Sequence, residues 1–391
     1  MPPGLLLAPV GAGKTEFALE QIVATAQAQP FAPIWVLLPT ERQKDAFRQR
    51  LIERPSGQGT AAQRGVYFNI EFFNFYELYI RLLDMAGKPP RHLDYRADTA
   101  RFRLLRTVLR GLKRDGQLRV FAQIADKPGF VSVIADFIYE LKGNVIPPEV
   151  FEAAAATRTE KDRELARIYS AYQSLLIEHN IVDREGQGWV ALEAAHKNYD
   201  LGADVALLVV DGFDQFTVLQ ARLVALLASR AQNALLTLTV VPGREGTVGR
   251  RFWQAQDRLL TTFLDEMGEE LTMMQSARLG VERRPSPLLY LANQIFHPEA
   301  MEVQPSAGHL RLIEAPNPTQ EVGALLREVK RLLLRTASEG EVRPDDVLIA
   351  LRDWGRYAAQ FAALARSYGV PVALHSGEPL IENPAIIALL D

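Results

Sequence analysis

The residues with the clearest chemical signature lie near the start of the chain, in a short segment of small residues that ends in Gly-Lys-Thr. The segment consists of Ala8, Pro9, Val10, Gly11, Ala12, Gly13, Lys14 and Thr15. Glycine has no Cβ, so the backbone at Gly11 and Gly13 can take unusual φ values and approach a ligand closely. The N–H groups of such a loop bind phosphate oxygens, the lysine contacts the β- and γ-phosphates, and the threonine hydroxyl binds Mg²⁺. The segment predicts a binding loop for ATP and Mg²⁺; the alternative is an ordinary glycine-rich turn.

The residues on either side of the segment have the pattern that such a loop requires. An apolar run at residues 4–7 predicts a buried strand, and residues 16–23 have the spacing of a helix. A strand, a tight loop and a helix in this order bring the positive end of the helix dipole to the loop. Ala8 stands where the strict pattern has glycine, and alanine is a tolerated variant there.

A second chemically informative position follows an apolar run about two hundred residues later. Residues 205–210 predict a buried strand, and Asp211 comes directly after it. Phosphate-loop proteins need an acid at the end of a neighbouring buried strand to hold Mg²⁺ and its water shell. Alone, a strand-end acid would ordinarily be a solvent-exposed surface residue. Together with the glycine-rich segment, Asp211 is expected to be a magnesium ligand beside Thr15.

Hydrolysis requires one more group, which is missing from its usual position. In active ATPases a glutamate commonly follows the strand-end aspartate and orients or deprotonates the attacking water, but Gly212 stands here. Loss of a general base typically lowers a rate by ~10²–10⁴-fold. Asp214 and Gln215 are the candidates to replace it, although their offset from the strand end differs from the usual geometry. We expect ATP binding with little hydrolysis.

Composition excludes several classes of protein and of site. The chain has 391 residues, a net charge of −3 and no cysteine. The charge argues against a uniformly basic nucleic-acid-binding protein, so that any DNA-binding surface must be a local patch. The lack of cysteine excludes disulfides, a thiol nucleophile and cysteine-bound metal within this sequence, and favours a reducing, cytoplasmic location. No run approaches the length of a membrane span, so we expect no membrane association.

The order of elements predicts an α/β fold with a parallel sheet and a large all-helical insertion. Strand and helix patterns alternate over residues 1–94 and 200–315, which we assign to one P-loop domain. Residues 95–199 lack strand patterns and form amphipathic helices. Residues 316–391 begin a second α/β domain with predicted strands at 346–352 and 370–374. The last residues have an apolar helical pattern, so we expect the protein to continue beyond them.

Positive charge is concentrated on two predicted helices. The helix at residues 41–52 carries Arg42, Lys44, Arg48 and Arg50, most of which we interpret as a solvated face. The helical insertion carries a larger group of basic residues. These are Arg101, Arg103, Arg106, Arg110, Lys113, Arg114 and Arg119. A nucleic-acid-binding face and a solvated helix surface are both open interpretations of this second group.

Several of these segments together resemble a known family. Asp211-Gly212-Phe213, followed by Phe216-Thr217 and Gln220, resembles the AddB/RexB-type subunits of bacterial ATP-dependent helicase–nucleases, which are relatives of the UvrD-like helicases. Other segments agree with this resemblance. They are Leu38-Pro39-Thr40 with Arg42, which resembles a strand-end DNA-contact motif; residues 73–78, which resemble Thr-Phe-His-x-Leu without its Thr and His; and residues 279–284, where helicases have Leu-x-x-Asn-Tyr-Arg.

The resemblance carries expectations about fold, ligands and partners. It implies two RecA-like domains, of which the second is truncated here, and a γ-phosphate contact from Arg284. It implies action on single-stranded DNA or duplex ends in double-strand break repair and recombination, beside an AddA-like helicase/nuclease subunit. The segment that couples ATP to DNA in active helicases is replaced by residues 242–246, and the nuclease domain of the family is not within this sequence.

Two other functions remain open at this point. The chain is an active DNA-dependent ATPase or translocase if Asp214 replaces the missing glutamate. It is a non-catalytic scaffold module that docks a motor subunit if the phosphate loop no longer binds nucleotide.

Overall fold

The computed structural model describes residues 3–53, 67–87, 91–92, 98–241, 249–268, 271–274, 286–295, 308–336, 338 and 340–374. Tertiary contacts divide the chain into two compact units, residues 1–283 and 284–391. No helix within the described ranges is both long enough and apolar enough to span a bilayer.

The first unit contains a twisted arrangement of short strands and many helices. Its strands are β1 (Gly4–Ala8), β2 (Ile34–Leu37), β3 (Ile70–Phe73), β4 (Arg91–His92), β5 (Ile181–Val182), β6 (Leu207–Val210), β7 (Ala234–Thr239) and β8 (Thr272–Met274). Its helices are α1 (Lys14–Ala28), α2 (Glu41–Glu53), α3 (Phe75–Met85), α4 (Asp98–Arg114), α5 (Pro128–Gly143), α6 (Pro148–Ala156), α7 (Glu160–Glu178), α8 (Arg184–Lys197), α9 (Val218–Arg230) and α10 (Arg250–Met267).

Six of the described strands form one parallel sheet in the order β3-β2-β6-β7-β1-β8. Its central strands are apolar at successive positions because helices cover both faces, as is usual for parallel sheets. Leu5 and Leu208 point to the face covered by α3, α8, α9 and α10, whereas Leu6 and Val209 point to the face covered by α1 and α2. The predicted α/β fold is confirmed.

The predicted helical insertion is also present. Helices α4, α5 and α7 enclose a core of their own, which includes Leu109, Ile138 and Tyr169. Helix α8 instead packs on α3 and α9 and contributes Ala191 and Ala195 to the core of the sheet. One short strand, β5, does lie within 95–199, and it pairs in parallel with β4, which precedes this range.

The third strand begins later than its sequence pattern suggests. The pattern predicts a strand at residues 66–70 followed directly by a helix, whereas β3 occupies Ile70–Phe73 and α3 starts at Phe75. The helix start is set by Asn74, whose side chain accepts from the Glu77 N–H while the Glu77 carboxylate accepts from the Asn74 N–H. The Asn-x-x-Glu pattern of this capping box marks the start of the helix in the sequence itself. Edge strand β8 had no clear pattern and was not predicted.

The second unit contains α11 (Ser286–Gln294), α12 (Pro318–Leu333), a short 3₁₀ helix (Pro344–Asp346) and α13 (Trp354–Tyr368). Helices α12 and α13 pack around Leu326 and Phe361. The apolar run at residues 311–315 also predicts a strand, but neither it nor the predicted strands at 346–352 and 370–374 form ladder hydrogen bonds within the described residues. Alternate side chains from Val347 to Leu351 do pack on the helices, so the strand-like periodicity reflects one-sided burial without a paired neighbour.

Candidate nucleotide site

The glycine-rich segment forms a tight loop between β1 and α1. Gly11 and Gly13 have φ values of 80° and 92°, in the region where residues with a Cβ are strained. The loop closes through a hydrogen bond from the Ala12 N–H to the Pro9 carbonyl, at 3.3 Å. Helix α1 begins directly after Gly13. The N–H groups of its first turn and its positive dipole end therefore face the loop, which is the arrangement that binds a phosphate.

The lysine of the loop folds back over the chain that precedes it. Its Nζ donates to the carbonyl oxygens of Ala8 and Pro9, each at 2.9 Å. These contacts hold the ammonium group at the mouth of the loop, where a phosphate oxygen can take over the role of the carbonyls. Ala8 and Pro9 thus serve the site through their backbone.

Thr15 and Asp211, predicted to share a metal ion, lie in direct contact. The Thr15 hydroxyl donates to Oδ2 of Asp211 at 2.9 Å across 196 positions of sequence. Asp211 is only 4% exposed, although it terminates a strand. Its other carboxylate oxygen, Oδ1, accepts a hydrogen bond from the hydroxyl of Thr237. Both oxygens of the carboxylate are therefore held by threonine hydroxyl groups.

The sheet order explains why Thr237 takes part. The strand that carries Asp211, β6, is not the direct neighbour of β1, because β7 lies between them. The sequence pattern predicts the acid on a strand next to that of the loop and gives β7 no role in the site. Thr237 and Thr239 alternate on β7 and both border the site. Two hydroxyl residues at alternate positions of an otherwise apolar strand were the available signal.

The oxygens gathered here fit a magnesium ion. Mg²⁺ prefers hard oxygen ligands and is commonly bound by one or two carboxylates, phosphate oxygens and water. A buried carboxylate and a hydroxyl group lie together at the foot of the phosphate loop. Thr15 and Asp211 are the residues that would hold the ion.

A cavity of about 860 Å³ opens above these groups. The loop and α1 line one side, and the ends of β6 and β7 line the other. Two aromatic side chains, Phe17 and Phe252, also border it, as does Arg50, which forms an ion pair with Glu16. The volume lies within the range of cavities that bind small molecules.

Gly212 occupies a backbone conformation that disfavours the missing glutamate. Its φ is +81°, and a Cβ at this position would lie 3.1 Å from Nε2 of Gln43 and 3.5 Å from Cδ of Pro39. A side chain here would be strained by its own backbone and would press on the Gln43 amide. The local backbone therefore favours glycine over the catalytic glutamate at this position.

The segment after Gly212 is anchored by three aromatic rings. Phe213 and Phe216 stack at 5.1 Å between centroids, and Phe75 lies 5.2 Å from Phe213. Between the anchors, the Asp214 carboxylate borders the cavity and forms an ion pair with Arg251, with Nε 3.1 Å from Oδ2. Asp214 would have to break this ion pair to act as a base, and its catalytic role stays a prediction. Arg284, the predicted γ-phosphate arginine, lies outside the described residues.

The start of α2 presents the first of the predicted DNA contacts. Thr40 caps the helix, since its hydroxyl oxygen accepts from the Gln43 N–H at 3.2 Å, and Arg42 is exposed. Lys44, which belongs to the same basic helix, is 1% exposed and forms ion pairs with Glu41 and Glu77. The hydrogen bond from Lys44 lowers the pKa of the Glu41 carboxyl. Lys44 therefore ties α2 to α3 and does not belong to the solvated face.

The basic residues of the insertion form an exposed stripe along α4. Arg103, Arg106 and Arg110 recur at helical spacing and face solvent, and Lys113 continues the stripe. Asp126 pairs with Arg110 and Lys113, and the hydrogen bond from Lys113 lowers its pKa. Asp126 thus partly neutralises the positive charge at the C-terminal end of the stripe. At the N-terminal end, Arg103 and Arg106 are exposed to solvent.

Comparison with known proteins identifies a family and several relatives of this chain. Residues 5–279 match the family described as ADDB, N-terminal. Relatives named as the B-type subunit of an ATP-dependent helicase/deoxyribonuclease occur in Symbiobacterium thermophilum and Pelotomaculum thermopropionicum, each 25% identical over 96% of this chain and 32% of the relative. Another, in Caldanaerobacter subterraneus, is 23% identical over 97% of this chain and 32% of the relative. The chain therefore spans about a third of the length of these relatives.

The matched residues include the phosphate loop, Thr15, Asp211 and Thr237, together with the whole helical insertion. The match covers most of the chain, so its membership does not depend on the loop alone. The chain belongs to the family of AddB N-terminal regions.

Proposed function

We propose that this chain is the ATP-binding, helicase-like region of an AddB-type helicase/deoxyribonuclease subunit. In this role it binds Mg²⁺-ATP and hydrolyses it slowly. It acts on DNA ends in double-strand break repair and recombination, and an AddA-like helicase/nuclease subunit supplies the motor. The names of the relatives support the general class, since they describe one subunit of an ATP-dependent helicase/deoxyribonuclease.

One contact carries the proposal. The hydroxyl of Thr15 and the carboxylate of Asp211 meet at 2.9 Å although 196 positions of sequence separate them. A glycine-rich turn without a ligand-binding role gives no reason to bury an aspartate against the first turn of its helix. Burial of a carboxylate is costly unless it is paired or binds a metal.

The individual residues have distinct roles in binding. Backbone N–H groups of the loop and of the first turn of α1 bind phosphate oxygens, and Lys14 exchanges its two carbonyl partners for the β- and γ-phosphates. Thr15 and Asp211 hold Mg²⁺. When bound, the ion would neutralise negative charge on the phosphates. Thr237 keeps the Asp211 carboxylate oriented toward the loop.

Slow hydrolysis follows from what surrounds Gly212. A glutamate is absent there, and the positive φ together with the Gln43 amide leaves little room for one. Asp214 is paired with Arg251. Because position 212 provides no base and Asp214 is engaged, we expect turnover to be lower by ~10²–10⁴-fold than in an ATPase that has the glutamate.

DNA contacts are assigned to two basic surfaces. Thr40 and Arg42 lie at the C-terminal edge of the parallel sheet, the edge at which ligands of open α/β sheets bind. The stripe of Arg103, Arg106 and Arg110 provides the second surface. Contacts of this kind are made to phosphates, so the affinity for DNA should fall steeply with salt.

Calorimetric titration tests the nucleotide claim. Mg²⁺-ATP should bind the wild-type chain, and Lys14→Ala should abolish binding while the thermal melting profile stays unchanged. Lys197→Ala, which removes an exposed lysine paired with Glu193, is the matched control and should bind normally. Absence of binding to the wild type would remove the proposal. Turnover stimulated by DNA and lost in Asp214→Ala would replace it with an active ATPase.

A further inference from the structure

Gln43 lies between a proposed DNA contact and the backbone next to the magnesium ligand. Its Oε1 accepts a hydrogen bond from the Thr40 hydroxyl at 2.9 Å. Its Nε2 lies against Gly212, close enough that a Cβ on that residue would be 3.1 Å away. One side chain thus touches both the start of α2 and the residue that follows Asp211.

Two more contacts join the same segments. The Asp211 N–H donates to the Leu37 carbonyl at 3.1 Å, which extends the pairing of β6 with β2 by one residue. Gly212 also faces the ring of Pro39, with Cδ 3.5 Å from the position of a Cβ. The end of β6 therefore rests on the turn that connects β2 to α2, and this turn contains Thr40.

Binding of Mg²⁺ with a nucleotide would change the hydrogen bonds of the Asp211 carboxylate. The carboxylate is bonded directly to Thr15 in this structure. That hydrogen bond would be lost if the Thr15 hydroxyl oxygen turned its proton away to bind a magnesium ion, and Oδ2 of Asp211 would then be free to shift toward the ion. Thr237 holds the second carboxylate oxygen, so a shift at Oδ2 reaches the backbone of residues 211 and 212 more readily than it is absorbed by rotation of the side chain.

We propose that Gln43 is a positioning residue that couples occupancy of the nucleotide site to the affinity for DNA. When Asp211 turns from Thr15 to the metal, Gly212 shifts against the Gln43 amide. The shift is passed through the Thr40 hydroxyl to the start of α2, where the DNA phosphate contacts lie. This inference rests on the proposed function.

A purely local role for Gln43 makes a different prediction. Thr40 and Gln43 have the spacing of a helix-capping pair, and the Gln43 N–H does bond the Thr40 hydroxyl oxygen. If Gln43 only caps the helix, replacing it would lower thermal stability but would not change how strongly nucleotide binding affects the affinity for DNA. Stability alone therefore cannot distinguish the two roles, whereas a coupling measurement can.

The experiment measures coupling in both directions. The affinity of the chain for Mg²⁺ with a non-hydrolysable ATP analogue is titrated with and without saturating labelled oligothymidylate, and the affinity for the oligonucleotide with and without the analogue. Coupling between sites is typically about 5–150-fold, and by linkage both directions must give the same factor. We expect a factor of at least about fivefold for the wild type.

Two variants separate coupling from folding. Gln43→Ala should reduce the coupling factor to less than about twofold and leave each separate affinity nearly unchanged. Gln43→Glu keeps both an oxygen for the Thr40 hydroxyl and the length of the side chain that lies against Gly212, so it should preserve the helix start and retain the coupling. The matched control is Gln49→Ala on the same helix, whose Nε2 binds Glu53 at 3.0 Å, and it should couple like the wild type.

The outcomes distinguish this inference from the proposed function. If the wild type fails to bind the analogue, both the proposed function and the proposed coupling through Gln43 are wrong. If the wild type binds both ligands without coupling, the proposed function stands and the proposed role of Gln43 is wrong. If Gln43→Ala retains the coupling of the wild type, Gln43 only caps a helix.

Discussion

The hydroxyl of Thr237 donates a hydrogen bond to Oδ1 of Asp211, the oxygen that Thr15 leaves unused. Thr237 lies on β7, the strand between the one that carries the phosphate loop and the one that carries the acid. The interposed strand therefore does more than fill the sheet. It supplies the group that fixes the orientation of the proposed magnesium ligand.

Replacing Thr237 with valine should weaken Mg²⁺-dependent nucleotide binding. The substitution keeps the shape of the side chain and removes the donor, so the Asp211 carboxylate loses one bond and can rotate away from Thr15. A hydrogen bond to a charged group is worth about 1.5–3 kcal/mol, which corresponds to roughly a 10- to 160-fold loss of affinity. Calorimetric titration with Mg²⁺-ATP measures the loss.

The matched control is Thr107→Val. Its hydroxyl bonds the Arg103 carbonyl on the exposed surface of α4, so the same chemical change should leave nucleotide affinity unaltered. Equal affinities for Thr237→Val and the wild type would mean that Thr237 does not position Asp211.

Restoring the glutamate at Gly212 should not restore hydrolysis. Gly212→Glu forces a side chain onto a residue with φ of +81° and toward the Gln43 amide. Strained backbone of this kind costs on the order of 1–3 kcal/mol. The variant should melt at a lower temperature than the wild type and show no gain in steady-state phosphate release.

A helical glycine provides the comparison for this stability effect. A Cβ at Gly111, in α4, would meet no other atom within 4 Å. Gly111→Ala should therefore be neutral or stabilising, because alanine is favoured over glycine within a helix. A large gain in turnover for Gly212→Glu would show that the fold tolerates a base at this position after all.

The basic stripe on α4 should contribute to the salt dependence of DNA binding. In the double variant Arg103→Gln/Arg106→Gln, two cations that we propose to contact DNA phosphates are lost. The plot of log affinity against log salt should become less steep by roughly 1–1.5, since each phosphate contact to single-stranded DNA contributes about 0.7. Fluorescence anisotropy with a labelled oligonucleotide at several salt concentrations gives the slope.

Two other arginines of the helical insertion serve as the control for the stripe. Arg163 and Arg167 are engaged with Glu160, whose pKa their hydrogen bonds lower. Arg163→Gln/Arg167→Gln should leave the salt slope as it is in the wild type. An unchanged slope for the Arg103/Arg106 double variant would assign the stripe to a solvated helix surface.

A buried acid gives the first unit a predicted pH dependence. Glu185, at the start of α8, is buried near the ion pair of Lys142 with Asp183. Burial raises the pKa of the Glu185 carboxyl to about 7, and the negative charge of Asp183 acts in the same direction. The ionised form is therefore the unfavourable one in the folded protein.

The sign of the effect follows from proton binding. Between the ordinary glutamate pKa of 4.5 and about 7 the folded state binds more protons at Glu185 than the unfolded state does. The contribution of Glu185 to stability should fall as pH rises through this interval and stay low above it. Glu185→Gln should flatten the dependence and stabilise the protein near pH 8 by on the order of 3 kcal/mol.

Urea denaturation at about pH 5 and about pH 8 measures this difference. Glu193→Gln, which changes an exposed acid on the same helix, should leave the pH dependence unaltered, since Glu193 pairs with Lys197 at the surface. If Glu185→Gln and the wild type lose stability in parallel between these pH values, Glu185 does not carry the effect.

Local patterns alone were sufficient to predict the parallel α/β fold, the glycine-rich loop between β1 and α1, and the helical insertion. The family assignment is confirmed. A strand–loop–helix unit is encoded by neighbouring residues, so Gly11, Gly13 and Lys14 could be identified without tertiary contacts. The strand-end position of Asp211 was readable for the same reason. The ligand roles of these residues, and that of Arg284, stay predictions.

Tertiary structure decided what each of these groups touches. Thr237 and Gln43 became visible only when the order of the sheet brought β7 beside Asp211 and α2 beside Gly212. The sequence likewise does not show that Asp214 pairs with Arg251, which is far from it along the chain. Nor does it show that Lys44, one of several basic residues on the same helix, is buried. Side-chain periodicity reports which face of an element is buried, but the partner across a sheet or between helices depends on topology, which no local pattern contains.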